Sequence, residues 1–140
     1  MFARQSGALA YKNVGVENGV SSADPHRLTL MLFEGALVSR NAARIHLENG
    51  DVPLKGSAIS KAIEIITNGL KVSLDFEVGG ELAQRLGSLY DYMCTRLLHA
   101  NVRNDIAALA EVATLLRELK EAWEQIGKPN VNGTSGGGTA

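Results

Sequence analysis

Four long runs in this chain repeat apolar residues at intervals of three and four, and short breaks separate them. That spacing gathers the apolar side chains on one side of an α-helix. No segment alternates with period two for long enough to build a sheet. Asp24-Pro25 opens the first run, with Asp24 placed to accept a backbone N–H as N-cap and Pro25 at the first helical position. Leu28, Leu32, Ala36 and Ala43 follow, and Asn49-Gly50 closes it. Asp51 to Pro53 opens the second run, whose stripe of Ile59, Ile63, Ile66 and Leu70 extends to about Phe76. Gly56 and Gly69 sit inside it, each costing up to roughly 1 kcal/mol against Ala. Gly79-Gly80 is the next break, and Leu82, Leu86, Leu89, Met93 and Leu97 then run to Asn101. Asn104-Asp105 opens the last run, which Gly127 and Pro129 stop.

Four amphipathic helices with short connections predict an all-α fold, an antiparallel four-helix bundle over residues 24–127. Residues 1–23 read as a flexible leader with a short helix around Ser6–Tyr11. Residues 128–140, rich in Gly, Ser and Thr, read as a disordered tail.

Composition narrows the function. The 140 residues suffice for one core without disulfides or metals. The single cysteine, Cys94, rules out an internal disulfide framework. Formal net charge is −1, and the basic residues are scattered, so no field draws in nucleic acid. The N-terminus lacks the continuous apolar core of a signal peptide, and no stretch suits a bilayer, so stable membrane insertion is not expected and a cytoplasmic protein is.

A bundle helix needs one apolar stripe, and the last helix has two. Ile106, Leu109, Ala113, Leu116 and Trp123 form one; Ala108, Val112, Leu115, Leu119, Ala122 and Ile126 form the other. The second helix carries Ile65 and Val72 beside its main stripe. A surplus apolar face is read either as burial on two sides or as a groove for an amphipathic partner helix. On the groove reading, Val112, Leu115 and Leu119, together with Ile63, Ile65, Ile66, Leu70 and Val72, are the partner-binding candidates. Tyr11, an aromatic residue in a leader with little else to bury, is expected to cover or border the groove.

Enzyme chemistry finds no motif. His26, His46 and His99 lie in no metal-binding pattern, and no phosphate loop or cysteine pair appears. No metal or cofactor is therefore expected. A phosphotransfer bundle would present a mid-helix histidine, for which His46 is the candidate. Glu48 and the helix stop at Gly50 argue for an ordinary surface residue there. A purely structural homodimeric bundle is the third reading.

The first helix reads DPHRLTLMLFEGA, the third carries Leu89-Tyr90-Asp91-Tyr92-Met93 followed by Arg96-Leu97 and Ala100-Asn101, and the last carries Leu115-Leu116 and Ala122-Trp123. With Ala10-Tyr11 in the leader, these runs resemble the flagellin-specific export chaperones, the FliS family, over roughly residues 8–126. Asp24 stands where the family commonly has Ser, which keeps the capping chemistry, and Phe33 where it has Tyr, which loses a hydroxyl. The resemblance implies a chaperone that holds the C-terminal segment of flagellin, prevents premature polymerisation and helps deliver it to the flagellar export gate. It implies no cofactor. Asp24, Tyr90, Asp91, Arg96, Asn101 and Trp123 are expected to be structural. Asp91 in particular should be tied by hydrogen bonds that fix helix positions, since an unpaired carboxylate between two aromatics is costly.

Overall fold

The computed structural model describes residues 24–127; the leader with Tyr11 and the tail lie outside them. Asp24 adopts extended backbone and its carboxylate accepts from the Arg27 N–H at 2.7 Å, starting α1, Pro25–Glu48. Gly50, at φ 72°, turns the chain. Asp51 caps α2, Val52–Glu64, by accepting from the Leu54 N–H at 3.1 Å. The coil then widens into a π-helical stretch, Ile65–Lys71, from which Ile65, Ile66, Gly69 and Leu70 are buried. A π-helical stretch is uncommon and re-aims the side chains beyond it.

The next boundary differs from the sequence expectation. The second helical run ends at Lys71 and α3 spans Phe76–Arg103, so a connection at Val72–Asp75 and one helical turn precede the Gly79-Gly80 break. Asp75 is the reason: its carboxylate accepts from the Glu77 and Val78 N–H groups and starts a turn ahead of the glycines. Phe76 then packs over Gly87, where an added Cβ would sit 3.7 Å from the ring. Gly80, at φ 52° and ψ −127°, is not helical: it separates a first turn, residues 76–79, from the long helix that follows, so the interruption that the sequence places at Gly79-Gly80 is present as a kink inside α3. α3 stops at Asn104, which takes the left-handed conformation that Asn tolerates. Asp105 accepts from the Ala108 N–H at 3.2 Å and starts α4, Ile106–Gly127.

α1 packs against α2 and α4, and α3 packs against α4, α2 and the π-helical stretch. The backbones of the diagonal pairs, α1 with α3 and α2 with α4, do not approach each other. With connections of two to four residues this is the antiparallel four-helix bundle that the sequence predicts; there is no strand among the described residues. Phe33, Ile59, Ile66, Met93, Leu97, Leu109, Val112 and Leu116 fill the core, and Ala36, Ala43, Ala62, Ala100 and Ala108 let the helices close over it.

Two contacts pin opposite ends. At one, Lys55 is only 4% exposed, yet its ammonium donates to the Asn101 carbonyl at 2.9 Å and to Asn104 Oδ1 at 2.5 Å. A cation at the C-terminus of α3 also suits the helix dipole. At the other end the Trp123 indole N–H donates to the His26 carbonyl at 3.1 Å, joining the start of α1 to the end of α4.

Candidate functional site

The two stripes of α4 do not divide into core and groove. Val112 and Ala108 of one stripe are as fully buried as Leu109 and Leu116 of the other. The division runs along the helix instead. Toward the C-terminus Leu115, Leu119 and Trp123 are half-buried, and Ala122 and Ile126 are exposed. Of the other candidates, Ile65, Ile66 and Leu70 are buried, whereas Ile63 and Val72 are half-buried. Ile65, Ile66 and Val112 are thus core residues of the free chain, because α4 and the π-helical stretch are each covered on two sides there.

At the end where α4 loses its cover, an apolar cleft of about 210 Å³ opens. α1 contributes Thr29 and Phe33, Leu70, Ser73 and Leu74 form one side, and α3 supplies Leu82, Leu86 and Tyr90. Leu119, Ala122, Trp123 and Ile126 of α4 complete it. Leu82 is 65% exposed and Ile126 72%, so the apolar lining continues onto the surface. The hydroxyls in the wall are occupied: Thr29 Oγ1 donates to the Pro25 carbonyl at 3.0 Å and Ser73 Oγ to the Gly69 carbonyl at 2.6 Å. Burial pushes the Tyr90 phenol up to about 12, so it is neutral at physiological pH. The cleft therefore presents no charge and few free polar groups, and it can select only for apolar shape.

The Trp123 wall is set by its neighbours. The His26 ring stacks on the indole at a centroid distance of 5.3 Å and an interplanar angle of 9°. His26 Nε2 lies 2.6 Å from the Trp123 carbonyl and must carry the proton to donate there. Gly127 leaves room for the ring, since a Cβ at that position would overlap the imidazole. Gly127→Ala is expected to displace His26, loosen the indole and cost about 1 kcal/mol. Urea unfolding followed by the fluorescence of the single tryptophan checks it; an unchanged midpoint and emission maximum would refute the packing role.

The remaining expected structural residues are spread over the bundle. Arg96 Nε donates to Glu111 Oε1 at 2.8 Å, and the Tyr92 hydroxyl to Glu111 Oε2 at 2.5 Å, so α3 is tied to α4 through one carboxylate. The Tyr92 hydrogen bond, and then Arg96, hold the Glu111 carboxyl below the usual range. Asn101 acts through its carbonyl, as the acceptor of Lys55. Asp91 is not enclosed by its aromatic neighbours: its side chain is 63% exposed and paired with Lys71 at 2.7 Å. An exposed pair contributes less than about 1 kcal/mol. Asp91→Ala should accordingly lower Tm by no more than a few degrees, and a larger drop in calorimetry would reveal a role that this geometry lacks. His46 is half-buried in the last turn of α1.

Sequence reasoning missed Lys55, His26, Leu74 and the rim pair Leu82 and Ile126. The rim pair was legible only as part of two apolar stripes, and nothing in the pattern says that helix ends, rather than helix faces, are left uncovered. No group of His, Cys, Asp and Glu among the described residues could hold a metal ion, and no described helix is long and apolar enough to cross a membrane.

The geometry can be set beside known proteins. The family model described as "Flagellar protein FliS" matches residues 7–130. A "Flagellar secretion chaperone FliS" of Salmonella typhimurium is 57% identical over 121 residues, covering 86% of this chain and 90% of that protein. The protein of the same name from Escherichia coli is 46% identical, covering 85% and 88%. That of Bacillus subtilis is 38% identical, covering 78% and 80%.

Proposed function

Because the chain belongs to the FliS family of flagellar secretion chaperones, we propose that its cleft anchors an amphipathic helix from the C-terminal segment of flagellin. The observation that carries this reading is the uncharged cleft whose lining runs out to exposed Leu82 and Ile126. A cleft of about 210 Å³ takes anchoring side chains rather than a whole helix. The helix itself would lie across the rim, with residues at one-turn spacing reaching inward. Of the sequence candidates, Leu70 and Leu119 line the cleft directly. Ile63, Val72 and Leu115 flank the core at partial exposure. Ile65, Ile66 and Val112 would act by shaping the bundle beneath.

On this reading the protein is a cytoplasmic binding protein, not an enzyme. It shields the apolar stripe through which flagellin polymerises and hands the bound monomer to the flagellar export gate. Thr29 of the cleft lies one helical turn from the point where the leader joins α1. Tyr11 is thus within chain reach of the cleft and would border or cover it. Tyr11→Ala should change flagellin affinity several-fold with helix content intact; unchanged binding in calorimetry would remove Tyr11 from the site.

Co-purification with flagellin tests the function. Full-length flagellin should be retained and a C-terminally truncated form should not. Equal retention of both, or of neither, would overturn the reading. Incubation with a labelled phospho-donor should leave His46 unlabelled, in contrast to a phosphotransfer module.

A further inference from the structure

The π-helical stretch Ile65–Lys71 decides which side chains reach the cleft from this side of the bundle. An α-helix turns about 100° per residue, so each four-residue step rotates a side chain by about 40°. Two adjacent pairs four residues apart, Ile65-Ile66 and Gly69-Leu70, are nevertheless all buried. The wider π coil, with bonds between residues i and i+5, turns less per residue and keeps both pairs inward. Leu70 thereby lines the cleft, and Ser73 and Leu74 continue its wall. Leu74 Cδ1 lies against Gly87, 3.6 Å from where a Cβ would stand.

Donors change places at the end of the stretch. In a continued α-helix the Ser73 N–H would serve the Gly69 carbonyl, four residues back. Here it donates to the Leu70 carbonyl at 3.3 Å, and the Leu74 N–H donates to the Lys71 carbonyl at 3.1 Å. The coil thus tightens directly after its widest part. The Ser73 hydroxyl takes over at the Gly69 carbonyl, at 2.6 Å. Gly69 is buried, where losing that donor is costly. Thr29, Thr95 and Thr114 also donate to the carbonyl four residues back, but inside α1, α3 and α4, where the hydroxyl only adds to the backbone ladder. At Ser73 it replaces a ladder donor. We propose that Ser73 is the positioning residue of the cleft: its hydroxyl ends the π-helical stretch and so fixes Leu70 and Leu74 as the wall that selects the apolar side chains entering it. The wall belongs to the free chain; its consequence for flagellin rests on the function proposed above.

The test compares Ser73→Ala and Ser73→Thr with the parent, each as the full chain. The nuclear Overhauser contact between the Leu74 methyls and Gly87 Hα reads the wall directly. The neutral dye N-phenyl-1-naphthylamine, excited by energy transfer from Trp123, reads apolar uptake, and calorimetry reads affinity for the flagellin C-terminal segment. Ser73→Ala should weaken the contact and lower both affinities several-fold, with helix content unchanged and Tm within a few degrees of the parent. Ser73→Thr keeps the hydroxyl and should recover most of the contact and of both affinities. Ser57→Ala, on the exposed side of α2, should change none of them. Contact and affinities retained in Ser73→Ala would overturn the proposal. So would equal losses in Ser73→Thr, or affinities lost while the contact stays intact. A parent that takes up the dye and not the flagellin segment would overturn the flagellin reading, and the contact and the dye would then decide the role of Ser73 by themselves.

Discussion

Val112→Glu is expected to destabilise the chain strongly. Val112 is 0% exposed and belongs to the same core as Leu109 and Leu116. A carboxylate there would have to ionise in an apolar interior or stay protonated with unmet hydrogen bonds, at a cost of roughly 4 kcal/mol or more. A domain of this size is stable by about 5–15 kcal/mol, so at the lower end of that range little of its margin would remain. Circular dichroism and urea titration read the result. Val112→Ala serves as the milder control, weakening the same contacts without a charge. A cooperative transition for Val112→Glu close to that of the parent would show that α4 can turn this side to solvent and that the core has been misassigned. Leu115→Glu is a poorer probe of binding than the stripe pattern suggests. Leu115 is half-buried against the core, so its charge would disturb fold and binding together.

The second large effect should leave the fold alone. Leu82 and Ile126 line the cleft yet are mostly exposed. Replacing both by glutamate removes little buried area and should change stability by less than about 1 kcal/mol. The same change puts two carboxylates on the rim that an apolar helix must cross. Each should cost binding about 1–3 kcal/mol, so affinity for the flagellin C-terminal segment should fall by roughly 30-fold or more. Calorimetric titration gives the affinity and circular dichroism the helix content of the same samples. A folded double variant with parental affinity would place the flagellin site elsewhere on the bundle. Together the two experiments separate the bundle core at Val112 from the cleft rim at Leu82 and Ile126.

The positions of the helices were legible because their causes are local. Asp24, Asp51 and Asp105 each accept an N–H from three residues further on, and Gly50 and Asn104 supply the left-handed turns. Periodicity then fixed four amphipathic helices, and their short connections fixed an antiparallel bundle. The break at Gly79-Gly80 was legible, since Gly80 leaves the helical conformation; the single turn ahead of it, which Asp75 caps, was not read. That turn rests on the Asp75 cap together with the packing of Phe76 on Gly87, and the second of these spans eleven residues. The family motifs in α1, α3 and α4 were likewise readable directly from the chain.

Burial was not legible in that way, because it depends on which helices lie alongside. The two stripes of α4 are equivalent in the sequence. Flanked by α1 and α3, both contribute core residues between Ala108 and Leu116; toward the helix end the cover thins and the cleft opens. Arg40 and Lys55 show the same limit. Both are long cations on amphipathic helices, ordinary surface residues by type, and both end up enclosed. Lys55 meets the carbonyl end of α3, whereas Arg40 meets two more arginines. Sequence alone determined where helices form, through contacts spanning three or four residues; the tertiary structure decided what each side chain faces, through contacts between residues tens of positions apart.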